Sequence, residues 1–201
     1  MPKRHANVGR PPSMDAPRET ILAHAARLFA QHGYEGTSLQ QVAAAVGITK
    51  AAIYHYFPTK QVMYEAIVID LLDRLDIQVR GCVDATDHAG RLRQVMIGHA
   101  EFFEANYTEF VTLLHGVSGL SRVISESEAS VRDRYENFVR EVVANGIEAG
   151  AFTQGEVKVI ARACLSLLNW MSRWYRPGGA LRARAFAEDY FEMIYLGLKP
   201  R

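Results

Sequence analysis

From Arg18 onward the apolar residues of this chain recur at steps of three and four, and no stretch alternates singly. That period belongs to helices that bury one face, and it argues against a sheet of half-buried strands. Ile21, Leu22, Ala25, Leu28 and Phe29 open the pattern, and Gly33 supplies its first stop. Thr37 reads as the N-cap of a short helix over residues 38–46, in which Leu39, Val42 and Ala43 face inward until Gly47 breaks it. Thr49 caps a third helix ending before Pro58, and Thr59 caps a long one that reaches about Val83. Beyond a linker at residues 84–90, further stripes mark helices over residues 92–103 and 110–114. Others follow over residues 131–148 (after a polar stretch at 125–130), 157–175 and 181–198. The expectation is an all-α chain of about nine helices, with three short ones in front. It divides into an arm at residues 1–16, disordered for want of apolar side chains, a head at 17–62 and a body at 63–201.

With 49% hydrophobic and 22% charged residues in 201, the composition is that of an ordinary globular protein. No apolar run approaches the roughly 18 residues needed to cross a bilayer, and residues 1–17 lack the apolar stretch of a signal peptide. A cytoplasmic protein with no membrane partner is expected. Cys82 and Cys164 fall inside apolar helical patterns without metal-ligand spacing, and read as buried free thiols. The formal net charge of +1 is unevenly spread. Residues 1–60 hold seven Lys/Arg against three Asp/Glu, net +4, and the remainder sixteen against nineteen, net −3. A basic front on a mildly acidic body suits a DNA-contacting head.

The head carries the chemistry to match. Ala43, Gly47 and Ile53 supply the small crossing residue, the chain reversal and the apolar anchor that a helix-turn-helix needs. Its second helix enters the major groove by its first residues, here Thr49, Lys50, Ala51 and Ala52. The polar pair can donate to bases or phosphates, and the alanines permit close approach or contact with a thymine methyl. Tyr54, His55 and Tyr56 can reach flanking phosphates, and Thr59-Lys60 opens a helix whose free N–H groups and cation make an anion site.

The whole string T-S-L-Q-Q-V-A-A-A-V-G-I-T-K-A-A-I-Y-H-Y-F-P-T-K, residues 37–60, resembles the signature of TetR-family transcriptional regulators. The resemblance spans roughly residues 18–64. It implies a homodimer whose two heads bind half-sites of a palindromic double-stranded operator, usually as a repressor. By the same resemblance Thr37 would hold a phosphate at the start of the second helix. Thr49, Lys50, Ala51 and Ala52 would sit at the groove floor, and Tyr54, His55, Tyr56 and Lys60 would clamp the backbone.

In the body, Phe102, Phe103, Tyr107, Phe110 and His115 crowd the middle helices, either as core packing or as the lining of a ligand chamber. Asn169, Trp170 and Arg173 bring an amide, an aromatic ring and a guanidinium to one helical stretch. N-W-x-x-R-W-Y-R-P-G-G at 169–179, with G-I-E-A-G-A-F at 146–152, is similar to the C-terminal domain of acyl-CoA-responsive TetR-family repressors of fatty-acid and steroid catabolism. That second resemblance implies an acyl-CoA thioester as effector, with Asn169, Trp170 and Arg173 as contacts. A free aromatic or drug-like apolar inducer is the alternative. Phe186, Tyr190 and Ile194 on one face of the last helix, and Phe191, Tyr195 and Leu198 on the next, point to a dimer through the last two helices. No nucleophile elbow, metal-ligand set or Gly-rich phosphate loop stands in the sequence, and His99 and His115 lack a carboxylate or nucleophile at motif spacing. An enzyme acting on CoA esters is therefore a distant alternative, and no catalytic residue, metal or cofactor is expected.

Overall fold

The computed structural model describes residues 18–115 and 125–198, the side chains of 112–115 excepted. The expected arm at residues 1–16 lies outside them. Among the described residues there are nine helices: α1 (Arg18–His32), α2 (Leu39–Val46), α3 (Lys50–Tyr56), α4 (Lys60–Cys82), α5 (His88–Ala105), α6 (Tyr107–His115), α7 (Glu126–Glu148), α8 (Val157–Trp174) and α9 (Ala183–Leu198). The all-α expectation holds, and no described helix is long and apolar enough to cross a membrane.

Caps set most of the helix starts. The Thr49 hydroxyl accepts from Ala52 N at 3.1 Å, Thr59 from Val62 N at 3.1 Å and Asp87 from Gly90 N at 2.7 Å. For α2 the cap is Ser38, not Thr37. Ser38 and Gln41 form a reciprocal box in which Gln41 N donates to Ser38 Oγ and Ser38 N donates to Gln41 Oε1. Thr37 is buried one residue earlier and donates its hydroxyl to the carbonyls of Leu28 and Gly33, which ties the α1–α2 turn to α1. Helix α7 also starts earlier than its apolar stripe suggests. Ser125 caps it, and the polar stretch that follows is its first turn, because Glu128 is buried and paired with Arg132.

One continuous core runs through the molecule. In the head it gathers Ile21, Phe29, Val42, Ile53 and Phe57; in the body, Leu71, Leu75, Leu92, Met96, Val139 and Met171. Gly47 adopts φ 80° in the turn between α2 and α3, a left-handed backbone that a side chain would strain. Gly146 has a different reason: the Phe152 ring lies where its Cβ would be, so the G-I-E-A-G-A-F segment folds an aromatic ring onto bare helix backbone. Helix α4 is the spine. It packs on α1 as well as on α5, α6 and α7, so one continuous helix passes from head into body across the expected boundary at 62/63. Helix α1 also packs on α6, and α5 on α9. Cys164 is buried as expected, but Cys82 is exposed at the last turn of α4, where the helix leaves the core.

Candidate DNA-binding face and ligand chamber

Helix α3 turns about 100° per residue, so its seven residues divide sharply between core and solvent. Lys50, Ala51, Tyr54 and His55 are exposed along its outer face. Ala52 is not. It lies 8% exposed beside Ile53 against the head core, which removes it from the residues expected at the groove floor. Gln40, on α2, donates from Nε2 to Tyr54 Oη at 2.9 Å, leaving the phenol proton free to be donated outward. This side chain was missing from the sequence-based set, because nothing in the string pairs residue 40 with residue 54.

A shallow hollow lies where the starts of α2 and α4 converge, lined by Ser38, Leu39, Gln40, Tyr54, Thr59 and Lys60. Lys60 is folded back across it. Its Nζ donates to Tyr34 O at 2.8 Å, pairs with Glu35 Oε2 at 3.3 Å and sits 4.3 Å above the Tyr34 ring. The ammonium therefore straps the start of α4 to the α1–α2 turn. Thr37 also lines this hollow, with its hydroxyl donated inward to the Leu28 and Gly33 carbonyls.

In the body a chamber of about 170 Å³ opens between α4, α5, α6, α7 and α8. Leu72, Leu75, Phe110 and Leu165 make its apolar wall; His99, Tyr135 and Asn169 are its polar side, and Arg132 and Glu136 stand toward solvent. His99 is 2% exposed, and its Nδ1 lies 2.9 Å from the Tyr135 hydroxyl. Burial pushes the imidazole down to about 4, opposed by a hydrogen-bonding contact with the Asn169 side chain, so the ring is neutral near pH 7. Burial likewise raises the Tyr135 phenol, which stays protonated.

Of the residues expected to bind a ligand, Asn169 lines this chamber. Phe102 and Phe103 are core residues instead. Phe103 packs edge-on against Tyr107, Phe110 and Tyr175, and Tyr107 donates to Tyr175 O at 3.2 Å. Trp170 and Arg173 are exposed on α8, the guanidinium 5.4 Å over the indole; Trp170, one step past Asn169, points about 100° away from it, and Arg173, one turn further on, follows the indole out to solvent. The His115 side chain lies outside the described residues.

Both chamber walls touch the spine through charge. Beside Phe110, Glu109 on α6 pairs with Arg74 of α4, whose guanidinium also donates to Asp70 Oδ2 at 2.8 Å and Asn106 Oδ1 at 2.9 Å. Beside Tyr135, Arg134 on α7 pairs with Asp73 and, at 3.0 Å, with the buried Asp76 of α4.

A head with a capped helix-turn-helix, set by one long helix on a body that holds a chamber, defines a ligand-responsive DNA-binding regulator. The chain belongs to the TetR family: residues 21–67 match the model for bacterial regulatory proteins of the tetR family, and residues 85–198 the tetracyclin repressor-like C-terminal domain. It is a TetR-type transcriptional regulator of a kind that binds operator DNA as a dimer and answers to small molecules, and its relatives are repressors rather than enzymes. It is 28% identical over 185 residues to the HTH-type transcriptional repressor KstR2 of Mycobacterium tuberculosis, covering 90% of this chain and 92% of that one. Among solved structures, the TetR-family regulator PfmR from Thermus thermophilus is similar at 40% identity and a TM-score of 0.79, over 90% of this chain and 99% of that one. AibR, solved in complex with isovaleryl coenzyme A and operator DNA, is similar at 29% identity and a TM-score of 0.76, over 89% of this chain and 97% of the other.

Proposed function

We propose that this protein is a repressor that binds a palindromic operator as a homodimer through α8 and α9 and is released by an acyl-CoA thioester. The observation that carries the effector class is the size and polarity of the chamber. At about 170 Å³ it falls below the roughly 300–1,000 Å³ of sites that enclose a whole drug-sized ligand. It suits a short acyl group inserted past Arg132, with the nucleotide left outside. The isovaleryl-CoA complex of AibR supports the same class.

On the DNA side, Thr49, Lys50 and Ala51 meet the groove, and Tyr54, His55, Tyr56 and Lys60 hold the backbone. The α2 start adds its free backbone N–H groups in the hollow beside Lys60. In the dimer the two heads stand about one helical turn, roughly 34–36 Å, apart. Acyl binding presses on Phe110 and Tyr135, and the adjoining Glu109 and Arg134 carry the displacement to α4 and so to the head. Moving such an equilibrium from about 1:99 to 99:1 takes roughly 5.5 kcal/mol of differential binding, within reach of a buried acyl chain with phosphate contacts outside.

Titration calorimetry with CoA, short acyl-CoA thioesters and the matching free acids tests the effector class. Heat from the thioesters alone is expected. Binding of the free acids or of aromatic compounds in their place would transfer the site to a free apolar inducer.

A further inference from the structure

The chamber has one polar atom whose chemistry is left open. His99 Nε2 is buried, lines the space and has no hydrogen bond of good geometry among the described residues, with the Asn169 side chain as its neighbouring polar contact. Its other nitrogen fixes what Nε2 carries. The buried Tyr135 hydroxyl has His99 Nδ1 as its partner at 2.9 Å, and a phenol enclosed in this way donates its proton to the acceptor it touches. A neutral imidazole that accepts at Nδ1 holds its own proton at Nε2. The result is an N–H donor on the polar side of the chamber, next to the Asn169 amide and facing the apolar wall.

A saturated hydrocarbon chain fills the Leu72, Leu75, Phe110 and Leu165 wall but leaves this donor with only the Asn169 side chain beside it once water is displaced. Resting on the acyl-CoA reading above, we propose that His99, fixed by Tyr135 and flanked by Asn169, is a specificity site that selects acyl groups bearing a hydroxyl or keto oxygen along the chain. The oxygen accepts from His99 Nε2, and a hydroxyl can in addition donate to the Asn169 side-chain carbonyl. His99 is nearly inaccessible while Arg132, Glu136, Leu165 and Asn169 are more exposed, which places His99 at the inner end of the chamber. The oxygen it reads therefore lies on the inserted chain rather than at the thioester.

Calorimetry on the full-length protein with butanoyl-CoA, 3-hydroxybutanoyl-CoA and 4-hydroxybutanoyl-CoA tests this. The wild-type chain is expected to bind at least one oxygenated thioester about tenfold more tightly than butanoyl-CoA, a difference of about 1.4 kcal/mol. His99→Leu removes that preference while butanoyl-CoA still binds. Tyr135→Phe, which releases the tautomer, reduces the preference and serves as the second variant. Unchanged operator affinity without ligand shows that each variant is folded. Equal or tighter binding of butanoyl-CoA by the wild-type chain, or a preference that survives in both variants, overturns the inference and leaves the acyl-CoA reading intact. If no thioester binds while the operator is still held, the acyl-CoA reading falls, and this inference with it.

Discussion

At the scale of single residues, the informative ones are polar groups placed where the periodic pattern asks for apolar ones. His99 stands in the inward stripe of α5 among Val95, Met96, Phe102 and Phe103. Its imidazole, held at about 4 against an ordinary 6.5, makes folding sensitive to acid. Between those values the unfolded chain binds the proton and the folded chain does not, so stability is lost as pH falls from about 6.5 to about 4. At about 1.4 kcal/mol per pH unit the loss is roughly 3 kcal/mol. Denaturant unfolding at steps from pH 7 to pH 4.5 should show that loss in the wild-type chain and a shallower one in His99→Leu. Parallel slopes would assign the acid sensitivity elsewhere. Glu35 is informative for another reason, as an exposed carboxylate in the α1–α2 turn. It neutralises Lys60 beside the hollow at the start of α2, so Glu35→Gln should tighten operator binding several-fold at low salt. An unchanged affinity would place Lys60 off the DNA backbone. Of these two residues only His99 was legible in the sequence, as a polar group in a core stripe; its pairing with Tyr135 joins two helices and has no local signal.

At the scale of elements, periodicity and caps located the helices well, and the failures have local causes. Thr37 and Ser38 are both competent caps, and the choice between them rests on which hydroxyl the α1 carbonyls capture. The first turn of α7 was hidden because its inward residue is a carboxylate, Glu128, buried against Arg132 rather than an apolar side chain. Trp170 and Arg173 were grouped with Asn169 on helical spacing, yet both are exposed on α8 and neither lines the chamber that Asn169 enters. Arg74 holds α4 to α6 and Arg134 holds α4 to α7, and these are the contacts through which the proposed coupling would pass. Glu109→Gln or Arg134→Met should leave ligand-free operator affinity within about threefold, while thioester-induced release shrinks by about fivefold or more. Binding assays with and without thioester check both. A full release response in both variants would mean that α4 is moved by packing alone.

At the scale of the whole molecule, one surface stays unfinished in a single chain. Val159, Trp170, Met193 and Leu196 are all more than 60% exposed on α8 and α9. Val159, Ala163, Ser166, Trp170 and Arg173 follow one another along α8 at steps of four and three, as do Phe186, Asp189, Met193 and Leu196 along α9. Such seams pack helix against helix in a symmetric four-helix contact. Phe191, expected on the outer face, is instead buried inside the chain, while Met193 and Leu196 take the exposed positions. A Trp170→Asp, Met193→Asp chain should sediment as a monomer and bind a palindromic operator at least a hundredfold more weakly. A dimer that persists would move the interface elsewhere. The layout of head, spine and body was legible because helical period and the residue 37–60 string are local signals. The chamber was not, since its lining comes from five helices brought together only by folding.

The central claim is that an acyl-CoA thioester releases this repressor from DNA. It is tested most directly by fluorescence anisotropy of a labelled operator, selected from random duplexes by the full-length protein, titrated with protein at fixed salt with and without a short oxygenated acyl-CoA. The predicted result is a sequence-specific complex whose apparent Kd rises at least tenfold with the thioester and is unmoved by CoA alone. An operator affinity that stays the same at saturating thioester would contradict the account.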